Sequence, residues 1–312
     1  MMEPNKSTTG LTFAKNHEIN LVKWDNCINN AHNGSIYAFS WYLDIICENW
    51  TAIIQHDYEG VMPLLHKKKA GLSYVYPSLL ANQLGVFSTE VMGKQMVNAF
   101  IKKTAEQYRI FTVNLNKFNR LDTNLFHQQQ QSTYEFDLIR SHHIMQENYS
   151  QKLRRNIRKG RKNQISILRG ITPNHFIDFL RERGVMVSGS LSRDLLAKLR
   201  RIIAFALKHG LGEIYAAYTP ENNLCASVFF LRSNRKVKIL FSGISGEGRE
   251  RGAPELLIDE YIKRHAEKNL TMNFENLALP DKAEFCEGFG GKHYQHLRVS
   301  NQPFPFLRKL FS

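Results

Sequence analysis

Between Val237 and Gly291 the chain sets out an apolar strand, a glycine-rich turn, an amphipathic helix and a second strand ending in a carboxylate. That order constrains the fold more than any other stretch. The strand is Val237–Phe241, and it runs into Ser242–Pro254, where Gly248 and Gly252 permit positive φ and close approach of backbone to a ligand. Pro254 stands where a first helical residue has no use for its N–H. From Glu255 to Lys268 the apolar positions Leu257, Ile258, Tyr261, Ile262 and His265 recur at helical spacing. Acids come early (Glu255, Asp259, Glu260) and bases late (Lys263, Arg264, Lys268), the order the helix dipole favours. The residues predict a well-formed helix with an open N-terminus, a place where unpaired N–H groups bind phosphate. The competing reading is an ordinary strand-to-helix turn. Glu247 and Glu250 favour it, since carboxylates repel an anion.

The second constraint is a charge run. Lys152, Arg154, Arg155, Arg158, Lys159, Arg161 and Lys162 place seven cations and no acid in eleven residues, half of the chain's net charge of +14. Ser150 can cap a helix here, and Tyr149, Leu153 and Ile157 at four-residue spacing give it a narrow apolar stripe. Three readings stay open: a surface for nucleic-acid or nucleotide phosphates, a contact with anionic lipid headgroups at a membrane surface, and a solvated helix between two domains. Arginine forks favour phosphate. The scarcity of interleaved aromatics disfavours single-strand stacking, so a folded RNA or a nucleotide-linked substrate fits better.

A chain of 312 residues with 43% hydrophobic content supports two cores. Cys27, Cys47, Cys225 and Cys286 are widely separated, with no metal-ligand spacing and no disulfide framework, which fits a reducing compartment. Met1–Asn16 lacks the apolar core of a signal peptide, and nowhere do eighteen apolar residues run together. The expectation is a cytoplasmic protein without a transmembrane segment or metal site.

Along the chain, residues 35–48 read as an aromatic-rich helix, and 50–56 with 60–66 as a hairpin. Lys67–Gly71 reads as a turn, 72–76 as a strand, 89–108 as a long helix, and 110–115 and 133–138 as strands. Gln128–Gln131 reads as a loop. Further on come a strand at 165–168, a helix from Thr172-Pro173 toward Arg183, and a helix from Arg193 to Lys208 capped by Ser192. Residues 212–218 and 224–232 form a hairpin across the turn 219–223.

The run Arg249-Glu250-Arg251-Gly252-Ala253-Pro254 is similar to the Arg/Gln-x-x-Gly-x-Gly/Ala turn of the GNAT acyltransferase superfamily, matching at Arg249 and Gly252, with Pro254 where the family prefers Gly or Ala. That resemblance implies a carrier's pyrophosphate held by Gly248, Arg249, Arg251, Gly252 and Ala253. Taken with Ser150–Lys159 and the closing Phe285-Cys286-Glu287-Gly288-Phe289-Gly290-Gly291, the chain resembles the Fem-type, double-GNAT acyltransferases and peptidyltransferases over roughly residues 20 to 300. The resemblance implies an α/β (α+β) protein of two GNAT-like domains, each a mixed, largely antiparallel sheet flanked by helices. Its implied boundaries are a tail at 1–16, a domain without a cradle at 17–140, the basic connector at 141–163, a domain with the cradle at 164–300, and a tail at 301–312. It further implies transfer of an acyl or aminoacyl group from a phosphate-containing carrier to an amine acceptor, such as a cell-wall precursor. Acyl-CoA or aminoacyl-tRNA would be a co-substrate, with no cofactor bound tightly. Lys152, Arg154, Arg155, Arg158 and Lys159 would bind the polyanion.

Acyl transfer to an amine needs a proton acceptor. Glu275, closing the stretch Thr271–Glu275, is the candidate base, against a structural carboxylate, and Asn276 beside it could orient substrate. Cys286 stands where tRNA-dependent Fem-type members carry a lysine. It could act as a nucleophile or be a small buried hydrophobe. The rival class is a binding protein that keeps the fold and the basic patch without turnover.

Overall fold

Two separate apolar cores organise the chain, and the computed structural model describes residues 10–69, 71–122, 124–183, 192–275, 277, 279 and 281–301. One compact unit runs to Ser132 and takes back the chain from Gln295, and the other spans Thr133–Tyr294. The first contains β1 (Leu11–Lys15), α1 (Leu21–Asn30), α2 (Ser40–Ile46), β2 (Thr51–Gln55), β3 (Gly60–Leu64), β4 (His66–Lys69), β5 (Leu72–Val75), β6 (Phe87–Ser88), α3 (Lys94–Gln107) and β7 (Ile110–Asn114). Strand β8 (His127–Asp137) leads into the second unit, which continues with α4 (His142–Glu147), α5 (Gln151–Lys162), β9 (Ser166–Arg169), α6 (Pro173–Arg183) and α7 (Arg193–Lys208). It is completed by β10 (Gly212–Tyr218), β11 (Leu224–Ser233), β12 (Lys236–Ile244), α8 (Gly246–Arg251), α9 (Ala253–His265), β13 (Thr271–Asn273) and α10 (Lys282–Gly288), and β14 (Lys292–Ser300) returns the chain.

In the first unit β1, β2, β3 and β6 form an antiparallel sheet, β4 pairs with β5, and β5 runs parallel to β7. Trp24 and Trp50, both fully buried, meet with ring centroids 4.9 Å apart. Three asparagines anchor the segment before β6: Asn33, Asn116 and Asn119 donate to the carbonyls of Val86, Leu84 and Val86 over 2.8, 2.9 and 3.0 Å. In the second unit β9, β10, β11 and β12 are antiparallel neighbours. Parallel to β12 runs β13, which then pairs antiparallel with the end of β8. The fold is mixed α/β, as the sequence implies.

Several elements depart from the sequence reading for identifiable reasons. The predicted helix over 35–48 breaks at Phe39, whose φ of −64° and ψ of 144° are extended, so α2 starts at Ser40 after a 3₁₀ turn at Ile36–Ala38. The lysine run is strand, paired residue by residue with β5, and Lys67 Nζ sits 4.4 Å above the Tyr76 ring. Gln128–Gln131 lie inside β8, because a half-exposed strand accepts polar side chains. The glycine-rich stretch is chiefly helical: Ser245 caps α8 by accepting from Gly248 N–H at 3.0 Å, and Gly252, at φ 80°, joins α8 to α9.

Candidate functional site

Helix α5 is the piece around which the site is built. Ser150 Oγ accepts the Leu153 N–H at 3.2 Å to start it, and Leu153, Ile157 and Gly160 form its buried stripe. The stripe packs on α9 at backbone distance. A Cβ at Gly160 would lie 2.8 Å from the Gly252 carbonyl oxygen, and one at Gly252 would collide with the carbonyl of Asn156. The close approach that Gly252 permits is therefore to α5. The expected open helix N-terminus is covered: Gly252, Ala253 and Pro254 are buried, and Asn163 Nδ2 donates to the Arg251 carbonyl at 3.2 Å.

Beside this joint lies a cleft of about 180 Å³. Ser150, Lys152, Leu153 and Asn156 of the α5 turn form one side, Arg249 and Glu255 another, and Leu279, Asp281, Glu284, Phe285 and Gly288 the third. Whole-cofactor pockets run to roughly 300–1,000 Å³, so this cleft admits a substituent of a substrate rather than a whole nucleotide. Lys152 Nζ pairs with Glu284 Oε2 at 2.6 Å on the exposed rim. Asn156 Nδ2 donates to Glu255 Oε1 at 2.8 Å, while Glu255 Oε2 is buried with no hydrogen-bond partner among the described residues. Arg249 is exposed, and no described residue pairs with it.

The other side of α5 faces a shallow groove of about 290 Å³ lined by His143, Gln146, Glu147, Tyr149, Arg154, Ile157, Arg158 and Arg161. Arg154 donates to the Glu147 carbonyl at 2.6 Å. Arg161 Nη2 reaches the buried Asp259 at 3.2 Å, and His142 Nε2 lies 2.7 Å from the same carboxylate. Burial, with the Asp259 charge beside it, pushes the Tyr149 hydroxyl up. Arg155, Arg158, Lys159 and Lys162 are exposed, and no described acid pairs with them. The seven cations thus divide into two held by acids, one held by a carbonyl and four facing solvent.

The sequence-named chemical residues sit elsewhere. Glu275 is buried beyond the end of β13, in an ion pair with Lys238 at 3.0 Å whose side chains are 2% and 7% exposed, and it does not line the cleft. Its carboxylate is occupied by this ion pair. Lys282 Nζ donates to the Glu275 carbonyl, and burial lowers the pKa of that amine. Cys286 is fully buried on α10, where burial pushes its thiol up to about 12, so at neutral pH it keeps its proton. Asn276 lies outside the described residues. Gly248 is buried against Cys225, and Arg251 pairs with Glu247 at 3.0 Å, which leaves Arg249 as the member of the predicted cradle that faces the cleft.

Glu255 and Asn156 are the residues that sequence reading passed over. The first looks like a routine first-turn acid and the second like filler in a basic run. The signal that joins them is three-dimensional: the small residues Gly160 and Gly252 are what bring α5 and α9 together.

No family model matches the chain, and no curated protein matches it. Among solved structures the chain is similar in fold to FemX, with 14% identity, 91% of this chain and 97% of that one covered, and a TM-score of 0.61. It is similar to the C-terminal domain of a protein described as a lysylphosphatidylglycerol synthetase from Agrobacterium fabrum, at 7% identity, 92% and 93% coverage and a TM-score of 0.52. It is also similar to a conserved protein of unknown function from Bacteroides thetaiotaomicron, at 11% identity, 91% and 98% coverage and a TM-score of 0.52. The fold is thus one that FemX shares, along almost the whole of both chains. No helix among the described residues is long and apolar enough to cross a membrane.

Proposed function

We propose that the chain is an N-acyltransferase that moves an acyl or aminoacyl group from a phosphate-containing carrier, acyl-CoA or aminoacyl-tRNA, to an amine acceptor. The observation that carries this reading is the double use of α5, which presents unpaired Arg155, Arg158 and Lys159 to solvent while Lys152, Leu153 and Asn156 wall a small cleft. Cations on the outside suit a carrier too large for the cleft, held by its phosphates. The cleft suits the small reacting end of a substrate, and Arg249 at its edge suits the last phosphate or the developing oxyanion. The fold shared with FemX is consistent with the same class, and the sequence resemblance to Fem-type proteins makes a cell-wall precursor a candidate acceptor. A cytoplasmic setting agrees with four cysteines that are free and buried.

A second reading has an observation of its own. Glu275 and Cys286 are both sealed away from the cleft, which suits a protein that binds RNA, a nucleotide-linked substrate or an anionic membrane surface through α5 without turnover. Titration with coenzyme A, acyl-coenzyme A, aminoacyl-tRNA and anionic vesicles across a salt series separates the two. Carrier binding followed by acyl transfer to an added amine supports the enzyme. Vesicle or uncharged-tRNA binding with no transfer supports the binding protein.

A further inference from the structure

Two stripes of cations run along α5, and they differ in kind. Residues three and four apart share a helix face, so Arg154, Arg158 and Arg161 form one stripe, while Arg155, Lys159 and Lys162 form another. The all-arginine stripe lines the groove of about 290 Å³ against α4, and the mixed stripe lies outside it. The two end arginines of the groove stripe are held by the protein itself. Arg154 Nη2 donates to the Glu147 carbonyl at 2.6 Å, and Arg161 Nη2 reaches Asp259 Oδ2 at 3.2 Å. The Asp259 side chain is 2% exposed and meets His142 Nε2 at 2.7 Å as well. A guanidinium carries five N–H donors in a planar fork, so each contact orients the plane and leaves most donors for a ligand. Arg158 stands between them, exposed and with no described acid beside it. The carboxylate among the lining residues, Glu147, is paired with His143 at 3.2 Å. Three forks against one engaged acid call for a compact ligand with several acceptor oxygens and more than one negative charge.

We propose that this groove binds a terminal phosphate, a phosphomonoester dianion, through Arg158 and the remaining N–H groups of Arg154 and Arg161. Arginine forks match phosphate oxygens two at a time. A monoester offers three such oxygens and a charge of about −1.5 to −2 at neutral pH, whereas a diester has fewer free oxygens and a single charge. Because two of the forks are oriented before the ligand arrives, less side-chain freedom is lost on binding. Asp259 and the Glu147 carbonyl act as positioning groups, since they touch the arginines and not the phosphate. The proposal stands apart from the acyltransferase reading: the outer stripe attracts any polyanion, and the groove selects the end of one.

The test starts with a small probe and no carrier. Wild-type protein is titrated calorimetrically with glycerol 3-phosphate, a monoester, and with dimethyl phosphate, a diester, at about pH 7.5, where the monoester is mostly dianionic. Saturable one-to-one binding of glycerol 3-phosphate is expected, with dimethyl phosphate weaker by roughly tenfold or more. Arg158→Gln, at an exposed helical position, is expected to weaken the monoester by roughly tenfold, the loss of one charge-assisted contact. Lys162→Gln removes the same charge outside the groove and is expected to leave affinity within about twofold, since it acts only through a screened field. Absence of saturable binding, equal affinity for the diester, or equal losses in Arg158→Gln and Lys162→Gln would each overturn the proposal. Coenzyme A and dephospho-coenzyme A, which differ by one terminal phosphate, then identify the source. A preference for coenzyme A that Arg158→Gln abolishes seats a carrier's phosphate in the groove. Monoester binding with no such preference upholds the site for a free phosphorylated molecule and leaves the acyltransferase reading to its own test.

Discussion

Two carboxylates, one beyond the end of β13 and one at the start of α9, show how differently a protein can use the same chemical group. Glu275 is closed in by Lys238, with both side chains nearly inaccessible, so its charge is spent on the fold. Glu255 shares one oxygen with Asn156, and its other oxygen is buried without a partner among the described residues. A buried ion pair costs desolvation on both partners and gains it back only when both are present. A half-satisfied carboxylate is instead a standing cost.

The sharpest way to break this comparison is to neutralise each acid and read rate and stability together. Glu255→Gln keeps an acceptor for Asn156 and should leave the unfolding free energy within about 1 kcal/mol of wild type. Glu275→Gln should cost stability in chemical denaturation, about 3–5 kcal/mol, by breaking a buried ion pair, with the rate of the folded fraction little changed. If Glu275→Gln loses rate at full stability, the assignment of roles is reversed.

Next in size is the joint that builds the cleft. Gly252→Ala forces an L-residue to a φ of 80° and sets its Cβ against the Asn156 carbonyl. A left-handed residue costs about 1–2 kcal/mol, and the displaced helix adds about 1–3 kcal/mol of overpacking. Denaturation should show the sum. A variant with wild-type stability would mean that α5 and α9 part without cost.

The sequence made much of this frame legible where local chemistry and tertiary packing agree. Helix α7 begins at Arg193 with Ser192 accepting from Leu195 N–H at 3.1 Å, and α6 runs from Pro173 to Arg183, as cap and proline signals predict. The hairpin of β10 and β11 turns where Pro220, Asn222 and Asn223 lie. Legibility fails where polar residues carry a strand, as at Gln128–Gln131 and Lys67–Lys69, because ladder pairing is set by distant partners. It fails again at α8, a helix of six residues too short to show a period. Of the site, Lys152 is visible within the basic run and Arg249 within the glycine-rich turn, yet only the close approach of Gly160 to Gly252 brings them to one cleft.

A smaller effect separates the two sides of α5. Replacing Arg154, Arg155, Arg158 and Lys159 with glutamate removes cations that mostly face solvent and should leave the fold intact. Carrier affinity should fall, and the slope of log affinity against log salt should become shallower by about 0.7–0.9 for each phosphate that the variant no longer neutralises. An unchanged slope would place the carrier somewhere other than on α5.

The smallest effect expected is a reactivity that stays absent. Burial pushes the thiols of Cys27 and Cys225 up to about 11 and that of Cys286 up to about 12, so none is a thiolate at neutral pH in the folded protein. Treating native protein with a disulfide reagent at pH 7 should therefore titrate essentially no fast thiol, and unfolding should release all four cysteines of the chain. The same shifts give stability a direction with pH. Each of the three groups holds its proton more tightly folded than unfolded, so its contribution is full below the ordinary thiol value of about 8.5 and is lost as pH climbs above it toward the folded value. Melting curves should be flat with respect to these groups below about pH 8 and should fall through roughly pH 9–11. A single thiol that reacts quickly at pH 7, blocked by a bound acyl carrier, would return Cys286 to the chemistry.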